Sequence, residues 1–251
     1  MRIFLMADNW LGWRVAQHLN SLNENIVGLA LHPEGFQNYA NEIVEELNIS
    51  IDKVLIGKKQ LEPTFIENVR HLQPDIILVV YWNYILPEKL FSIPKSGCVN
   101  FHMAYLPFNR GKNPNVWSII EGTPAGVTMH YIDSGIDSGK IISQKKVNVE
   151  IIDTAKSIFK KQLEAFVELF KETWPKIKNS SIQPIPQDLN EGTFHYSNDF
   201  QKLSEISLED KIYPLDLINQ LRAKMFEPHP PAYFILNGKK VYVSISLKYE
   251  S

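Results

Sequence analysis

Pro74-Asp75-Ile76-Ile77-Leu78-Val79-Val80 is the stretch whose reading decides the fold. Five apolar residues follow one another with no polar alternate. A strand buried on one face alternates, whereas a strand covered on both faces runs continuously apolar. The stretch therefore predicts a central strand of a parallel sheet with helices on both sides. Ahead of it, Phe65, Ile66, Val69 and Leu72 recur at helical spacing. After it, residues 97–102 read as another strand. This β-α-β order is what a parallel sheet requires.

Working outward toward the start, residues 2–7 read as a first strand, with Asp8 or Asn9 as cap of a helix bearing Leu11, Val15, Leu19 and Leu22. Strands are expected at 26–31 and 54–56, with a helix at 39–47 between them. The turn after the first strand reads Ala7-Asp8-Asn9-Trp10-Leu11-Gly12. It lacks Gly-x-Gly-x-x-Gly, so a dinucleotide-binding fold is unsupported despite the topology.

Toward the end, a helix with Pro114 in its first turn carries Val116, Trp117, Ile119 and Ile120. Strands at 126–132 and 140–149 are expected to run antiparallel across the loop 133–139. Asp153 or Thr154 then caps a long helix with Ala155, Ile158, Phe159, Leu163, Phe166 and Phe170 on one stripe, ending by Trp174-Pro175. Residues 176–198 have the texture of a linker, with Pro184, Pro186 and Asn190. A helix from Pro214 and an Asn237-Gly238 turn between two alternating runs close the chain. The expected fold is α/β: a Rossmann-like, doubly wound, mostly parallel sheet, with a small C-terminal helix plus β-hairpin unit. The expected domains are 1–178 and 190–251.

Bulk properties narrow the function. The 251 residues, 44% hydrophobic, suffice for one sizeable core with a small appendage. A formal net charge of −2 offers no global basic field to nucleic acid or an anionic membrane. From Pro175 onward, nine Lys/Arg stand against nine Asp/Glu, so the C-terminal unit is balanced too. One cysteine, Cys98, allows no internal disulfide and fits a reducing compartment. The first apolar run is too short for a signal peptide or a membrane span. The expectation is a cytoplasmic protein.

The chemistry concentrates where the second core strand ends, in Cys98-Val99-Asn100-Phe101-His102. Side chains alternate along a strand, so Asn100 and His102 face the same way. The carboxyl-terminal ends of strands are where open α/β sheets hold their ligands. Asp137 follows in the loop 133–139. Asn100, His102 and Asp137 are read as one site. His130 reads as structural, and His32 and His195 as surface residues. The seven histidines show no metal-ligand spacing, so no metal is expected.

Four motifs stand in order: Asn100-x-His102, Leu106-Pro107-x-x-Arg110-Gly111-x-x-Pro114, Gly126-Val127-Thr128-x-His130 and Asp133-x-Gly135-x-Asp137-Ser138-Gly139. Together they resemble the formyltransferases that use N10-formyltetrahydrofolate, closely over residues 74–145. The resemblance implies catalytic roles for Asn100, His102 and Asp137, with Ser138 where relatives commonly have Thr. It implies that the folate lies along Trp82, Asn83, Tyr84, Ile85 and Leu86 and against Asp133. The segments 105–117, 221–226 and 232–234 resemble most the nucleotide-sugar N-formyltransferases. That implies an amino sugar on a nucleoside diphosphate, with dTDP-4-amino-4,6-dideoxyglucose favoured, in surface polysaccharide (O-antigen) synthesis. Substrate contacts would fall on Asn9, Trp10, Tyr105, Arg110 and Lys112, though Arg110 is as well suited to pinning its own loop. A homodimer is expected from family habit and from the hairpin's open edges. The alternatives are methionyl-tRNA formyltransferase and a non-catalytic folate-binding relative.

Overall fold

The computed structural model describes residues 1–58 and 62–250. Its strands are β1 (Arg2–Ala7), β2 (Asn25–Leu31), β3 (Val54–Ile56), β4 (Ile76–Val80), β5 (Cys98–His102), β6 (Arg110–Gly111), β7 (Ala125–Tyr131), β8 (Ile141–Val147), β9 (Phe194–His195), β10 (Ala232–Leu236) and β11 (Lys239–Val243). Its helices are α1 (Asn9–Ser21), α2 (Ala40–Leu47), α3 (Pro63–His71), α4 (Glu88–Phe91), α5 (Pro114–Ile120), α6 (Ala155–Lys178), α7 (Asp199–Lys202) and α8 (Pro214–Ala223). Two compact units form. The first gathers Met1–His102, Thr128–Ser143 and Phe166–Gln187; the second gathers Met103–Val127, Gln144–Ala165 and the segment from Asp188 onward.

The main sheet has strand order β3-β2-β1-β4-β5-β7-β8. β1 pairs in parallel with both β2 and β4, and β4 with β5, while β7 runs antiparallel to β5. Every residue of β4 is buried, as its unbroken apolar run requires. Strand order reverses between β1 and β4, which opens a crevice at the carboxyl ends of those strands. Phe4, Met6, Ala30, Phe65, Val69, Ile77, Val79, Leu90 and Cys98 form one core. Burial pushes the Cys98 thiol well above its ordinary range, so it is an inert part of that core. Gly28 lets α3 approach closely: a Cβ there would press on Leu72 and the Phe4 ring. Behind β5, Phe101 stacks on Phe166 with ring centroids 5.0 Å apart and packs against Phe170. The strand bearing Asn100 and His102 is thereby pinned from its opposite face.

Three local expectations need correction. Asp8 stands at the N-cap of α1, as expected of Asp8 or Asn9, but its carboxylate does not bond the helix: it accepts the backbone N–H of Asn38 at 2.7 Å instead. α6 does not stop at Trp174-Pro175 but runs to Lys178. The Trp174 indole and Lys178 ammonium both donate to Glu24, at 2.9 and 2.7 Å, which holds the last turn despite the proline. Residues 176–198 are not featureless: Ile185 bridges Ile141 in antiparallel fashion, and β9 pairs in parallel with β6. At the other end of α6, Thr154 and Ser157 exchange side-chain-to-backbone hydrogen bonds, a reciprocal cap.

The second unit has its own core of Val116, Ile119, Ala125, Ala155, Ile158 and Ala223. Its hairpin, β10–β11, turns at Asn237 and Gly238, both in the left-handed region at φ 50° and 74°. That is what a two-residue turn between twisted strands needs. His195, expected at the surface, stacks on Trp117 with centroids 3.8 Å apart and pairs with Glu121 at 2.8 Å.

Lys224 is buried just past α8. Its ammonium lies 3.5 Å from the Phe200 ring centroid and donates to Ser204 at 2.9 Å. Burial lowers it from 10.5 to about 8. Between those values the unfolded chain holds a proton that the folded one has released, so this group adds stability as pH rises through that window. Chemical denaturation followed from pH 8 to 10 should show a gain on the order of 1 kcal/mol that Lys224→Met abolishes. An identical pH dependence in both proteins would sink the assignment.

Candidate active site

The antiparallel register of β5 and β7 sets Asn100 opposite His130 and His102 opposite Thr128. Two polar positions, two residues apart on each strand, therefore share one face of the sheet. The Asn100 amide lies 3.1 Å from His130 Nε2, and His130 Nδ1 lies 2.8 Å from the Tyr131 carbonyl oxygen. That carbonyl only accepts, so Nδ1 carries the proton. In the neutral ring Nε2 is then a lone pair, and Asn100 turns its NH2 group toward it. His130, expected to be structural, thus belongs to the site and sets which way the Asn100 amide points. The one sequence signal for it was Thr128-x-His130, which repeats the polar alternation of Asn100-x-His102.

Asp137 completes the cluster. Its Oδ1 accepts from Asn100 Nδ2 at 3.3 Å and lies 3.5 Å from His130 Nε2, and its Oδ2 lies 3.5 Å from His102 Nδ1. The His102 and Asp137 side chains retain only 10% and 14% exposure, largely out of water. With Nδ1 facing the carboxylate, Nε2 is the ring nitrogen on the far side. Asp137 sits at φ 52°, left-handed for a non-glycine residue. Asp133 shapes the same loop: its Oδ1 accepts Gly135 N–H at 3.0 Å and the Ser138 hydroxyl at 2.7 Å. Gly139 is required as glycine, since a Cβ there would collide with the Tyr131 carbonyl.

At the sheet's reversal point, Asn9 ends up at φ 65° and Tyr81 at φ 58°, on the neighbouring ends of β1 and β4. Burial and the Asp8 carboxylate push the Tyr81 hydroxyl up, against a hydrogen bond from Asn9. His32 is buried, not at the surface as expected. It stacks on Trp82, with centroids 4.1 Å apart and planes 17° apart, and meets the Tyr84 ring edge-on. Burial lowers its pKa against the pull of Asp8 and of the Tyr81 backbone. On the loop that follows, Leu86 turns into the core, Asn83 is exposed, Ile85 is 75% exposed, and Trp82 Nε1 is buried with no acceptor among the described residues. An unpaired indole N–H and an exposed apolar side chain on one strand-end loop suit a flat ligand with polar edges. Trp10 lies beside Asn9 in the first turn of α1, with the Arg14 guanidinium 5.6 Å from its ring centroid.

Tyr105, Arg110 and Lys112 fall in the second unit and have local partners there. Arg110 donates to the Leu189 carbonyl at 3.1 Å, the loop-pinning role it was equally suited to. The Lys112 carbonyl accepts the Trp117 indole N–H at 2.9 Å, and the Tyr105 ring lies 5.1 Å from the Lys146 ammonium. No group of three or more His, Cys, Asp or Glu side chains suited to hold a metal ion occurs among the described residues, and no helix there is long and apolar enough to cross a membrane.

Residues 21–173 match the formyl transferase family model, and residues 199–249 match the N-formyltransferase dimerization C-terminal domain. Among curated proteins, the methionyl-tRNA formyltransferase of Bacillus subtilis (strain 168) is 34% identical over 184 residues, 73% of this chain and 56% of that protein. The one from Bacillus licheniformis is 33% identical over 76% of this chain and 59% of its own length. The chain thus spans little more than half the length of these relatives. Among solved structures, a 4-N formyltransferase from Francisella tularensis superposes with TM-score 0.84 at 26% identity, covering 99% of this chain and 98% of its own. The formyltransferase PseJ from Anoxybacillus kamchatkensis, in complex with UDP-4,6-dideoxy-4-formamido-L-AltNAc and tetrahydrofolate, superposes with TM-score 0.61 at 27% identity, covering 89% of this chain and 99% of its own. With its amide, imidazole and carboxylate gathered on one sheet edge inside the matched region, this chain belongs to the formyl transferase family.

Proposed function

We propose that the protein transfers the formyl group of N10-formyltetrahydrofolate to the amine of a nucleotide-linked dideoxyamino sugar, dTDP-4-amino-4,6-dideoxyglucose by preference. One observation carries the sugar reading: the likeness to the Francisella tularensis 4-N formyltransferase extends through both units, hairpin included. A C-terminal unit whose charges balance supports it over tRNA, whose phosphate backbone favours a net basic partner. The functional division is a catalytic domain at 1–178 and a small C-terminal unit at 190–251.

The chemistry is acyl transfer with no covalent enzyme intermediate. The sugar amine attacks the formyl carbon, the carbonyl oxygen gains negative charge, and the bond to N10 breaks. Asn100 donates an N–H to that oxygen. His102 takes the proton the amine loses and returns it to the departing N10. Asp137 faces Nδ1 of His102 and orients the imidazole that acts as the base. The folate lies along the Trp82–Leu86 loop and Asp133, while Asn9 and Trp10 meet the sugar nucleotide, as do Tyr105, Arg110 and Lys112.

The direct test is turnover with N10-formyltetrahydrofolate against dTDP-, UDP- and GDP-linked amino sugars, with methionyl-tRNA alongside. Formylation of the dTDP-4-amino sugar is expected; formylation of tRNA alone overturns the sugar reading. Against the sugar it accepts, Asn100→Ala should lower kcat by about 10²-fold to 10³-fold, and His102→Asn by at least about 10²-fold, with melting temperatures unchanged.

His130→Leu removes the acceptor that orients Asn100 and should cost about 10-fold or more in kcat. His130→Gln, which can return an acceptor near the Nε2 position, should recover most of it. Equal rates in the two variants would show that His130 does not orient the amide.

We also propose a homodimer through the C-terminal hairpin. Ile235, Leu236, Val241 and Tyr242 stand exposed on β10–β11, within the region that matches the dimerization domain. Ile235→Asp with Tyr242→Asp should convert a dimer to a monomer in light scattering, whereas a monomeric wild type would remove the proposal.

A further inference from the structure

We propose that Gln187 is a positioning residue for Asp137, so that the segment after α6 is part of the machinery that aims the carboxylate. The inference rests on the reading that Asp137 acts in formyl transfer. Gln187 lies between the two family-model matches, which end at residue 173 and resume at 199.

The geometry starts with the bridge between Ile141 and Ile185, whose backbone groups exchange hydrogen bonds of 2.8 and 2.9 Å. Continuing that antiparallel register by two residues sets Gln187 against Gly139. Its side-chain amide then donates to the Asp137 carbonyl at 3.0 Å and to the Gly139 carbonyl at 2.6 Å. Both hydrogens of one NH2 group are spent on the two carbonyls that flank Ser138.

The orientation of this amide is forced. Flipping it would turn the Gln187 oxygen against two carbonyl oxygens, with no donor between them. As it stands, Oε1 is buried with no donor among the described residues. A buried unsatisfied acceptor carries a penalty, and the fold sustains it in exchange for holding the loop. What the loop holds is Asp137 in a left-handed conformation, which Asp tolerates better than most non-glycine residues but which the surroundings must still fix for the carboxylate to be aimed. Asp133, Gly135 and Ser138 shape the loop from within. Gln187 ties it to a neighbouring segment, and its loss frees the Asp137 backbone to turn the carboxylate from His102.

Gln187→Ala and the size-matched Gln187→Met should each lower kcat about 10-fold, with KM for both substrates within about twofold. Melting temperatures should stay within a few degrees. If the clamp acts through Asp137, Gln187→Met placed in an Asp137→Asn background should change the residual rate by less than about twofold. The same 10-fold loss in that background, or wild-type kcat in either single variant, overturns the proposal. A second arm needs no turnover. In the wild type, the Gln187 side-chain amide protons should exchange slowly with solvent; exchange as fast as in free glutamine overturns the clamp. A wild type that is silent with every acceptor while its Gln187 amide is protected sinks the formyl-transfer reading and leaves the clamp standing.

Discussion

The antiparallel pairing of β5 with β7 is the constraint on which the site depends. Four parallel strands lead up to β5, and a sixth parallel strand in place of β7 would have carried its polar residues elsewhere. Running backward, β7 sets His130 opposite Asn100 and Thr128 opposite His102. The register has no slack: a slip of one residue turns each side chain to the other face. For β5 that would drive Asn100 and His102 into Phe166 and Phe170, where Phe101 now packs. Aromatic packing on one face thus fixes polar geometry on the other.

This arrangement explains which parts of the molecule could be read from the chain. The β1–β5 sheet was legible because a strand covered on both faces must be apolar throughout, and residues 76–80 leave no other reading. Asn100, His102 and Asp137 were legible because their motifs stand in order within one stretch. The partner of Asn100 was not. His130 is thirty positions away, paired through a register that the β5–β7 pairing sets, and no local pattern encodes that number. The pair β6–β9 was hidden because two-residue strands have no period to detect. The run of α6 through Pro175 depends on Glu24, a residue some 150 positions earlier that receives both Trp174 and Lys178. Gln187 was invisible for a related reason: its work is done by two hydrogen bonds to backbone, which ask nothing of the residues they reach.

Strain marks the same edge of the sheet. Asn9, Tyr81 and Asp137 are non-glycine residues with positive φ, at the ends of β1 and β4 and in the loop after β7. The cost falls most on Tyr81, on the order of 1–2 kcal/mol, since Asn and Asp tolerate this conformation better than other non-glycine residues. Elsewhere the same conformation appears in a turn at Asn237, at a helix end at Asn48, and just before helices at Tyr39 and Asn113, among other positions. At the sheet edge it serves to point side chains, and the buried residues 3–7 of β1 and all of β4 supply the rigidity that keeps them pointed.

The supports of the cluster are divided unequally. Asn100, His102 and His130 stand on strands, with backbones fixed by the sheet. Asp137 alone stands on a loop, and it alone faces all three of the others. In the proposed reaction that is where adjustability is needed. One N–H of Asn100 lies near His130 at 3.1 Å and one reaches Asp137 over a longer 3.3 Å. The longer and weaker bond is the one to give up when an oxyanion forms, because His130 still holds the amide in place. Asp137 released from Asn100 still faces His102, whose orientation is its role once the imidazole carries a proton and becomes its ion-pair partner. A rigid strand for the donor and the base, and a clamped loop for the group that changes partners, is the division that acyl transfer between two bound substrates requires.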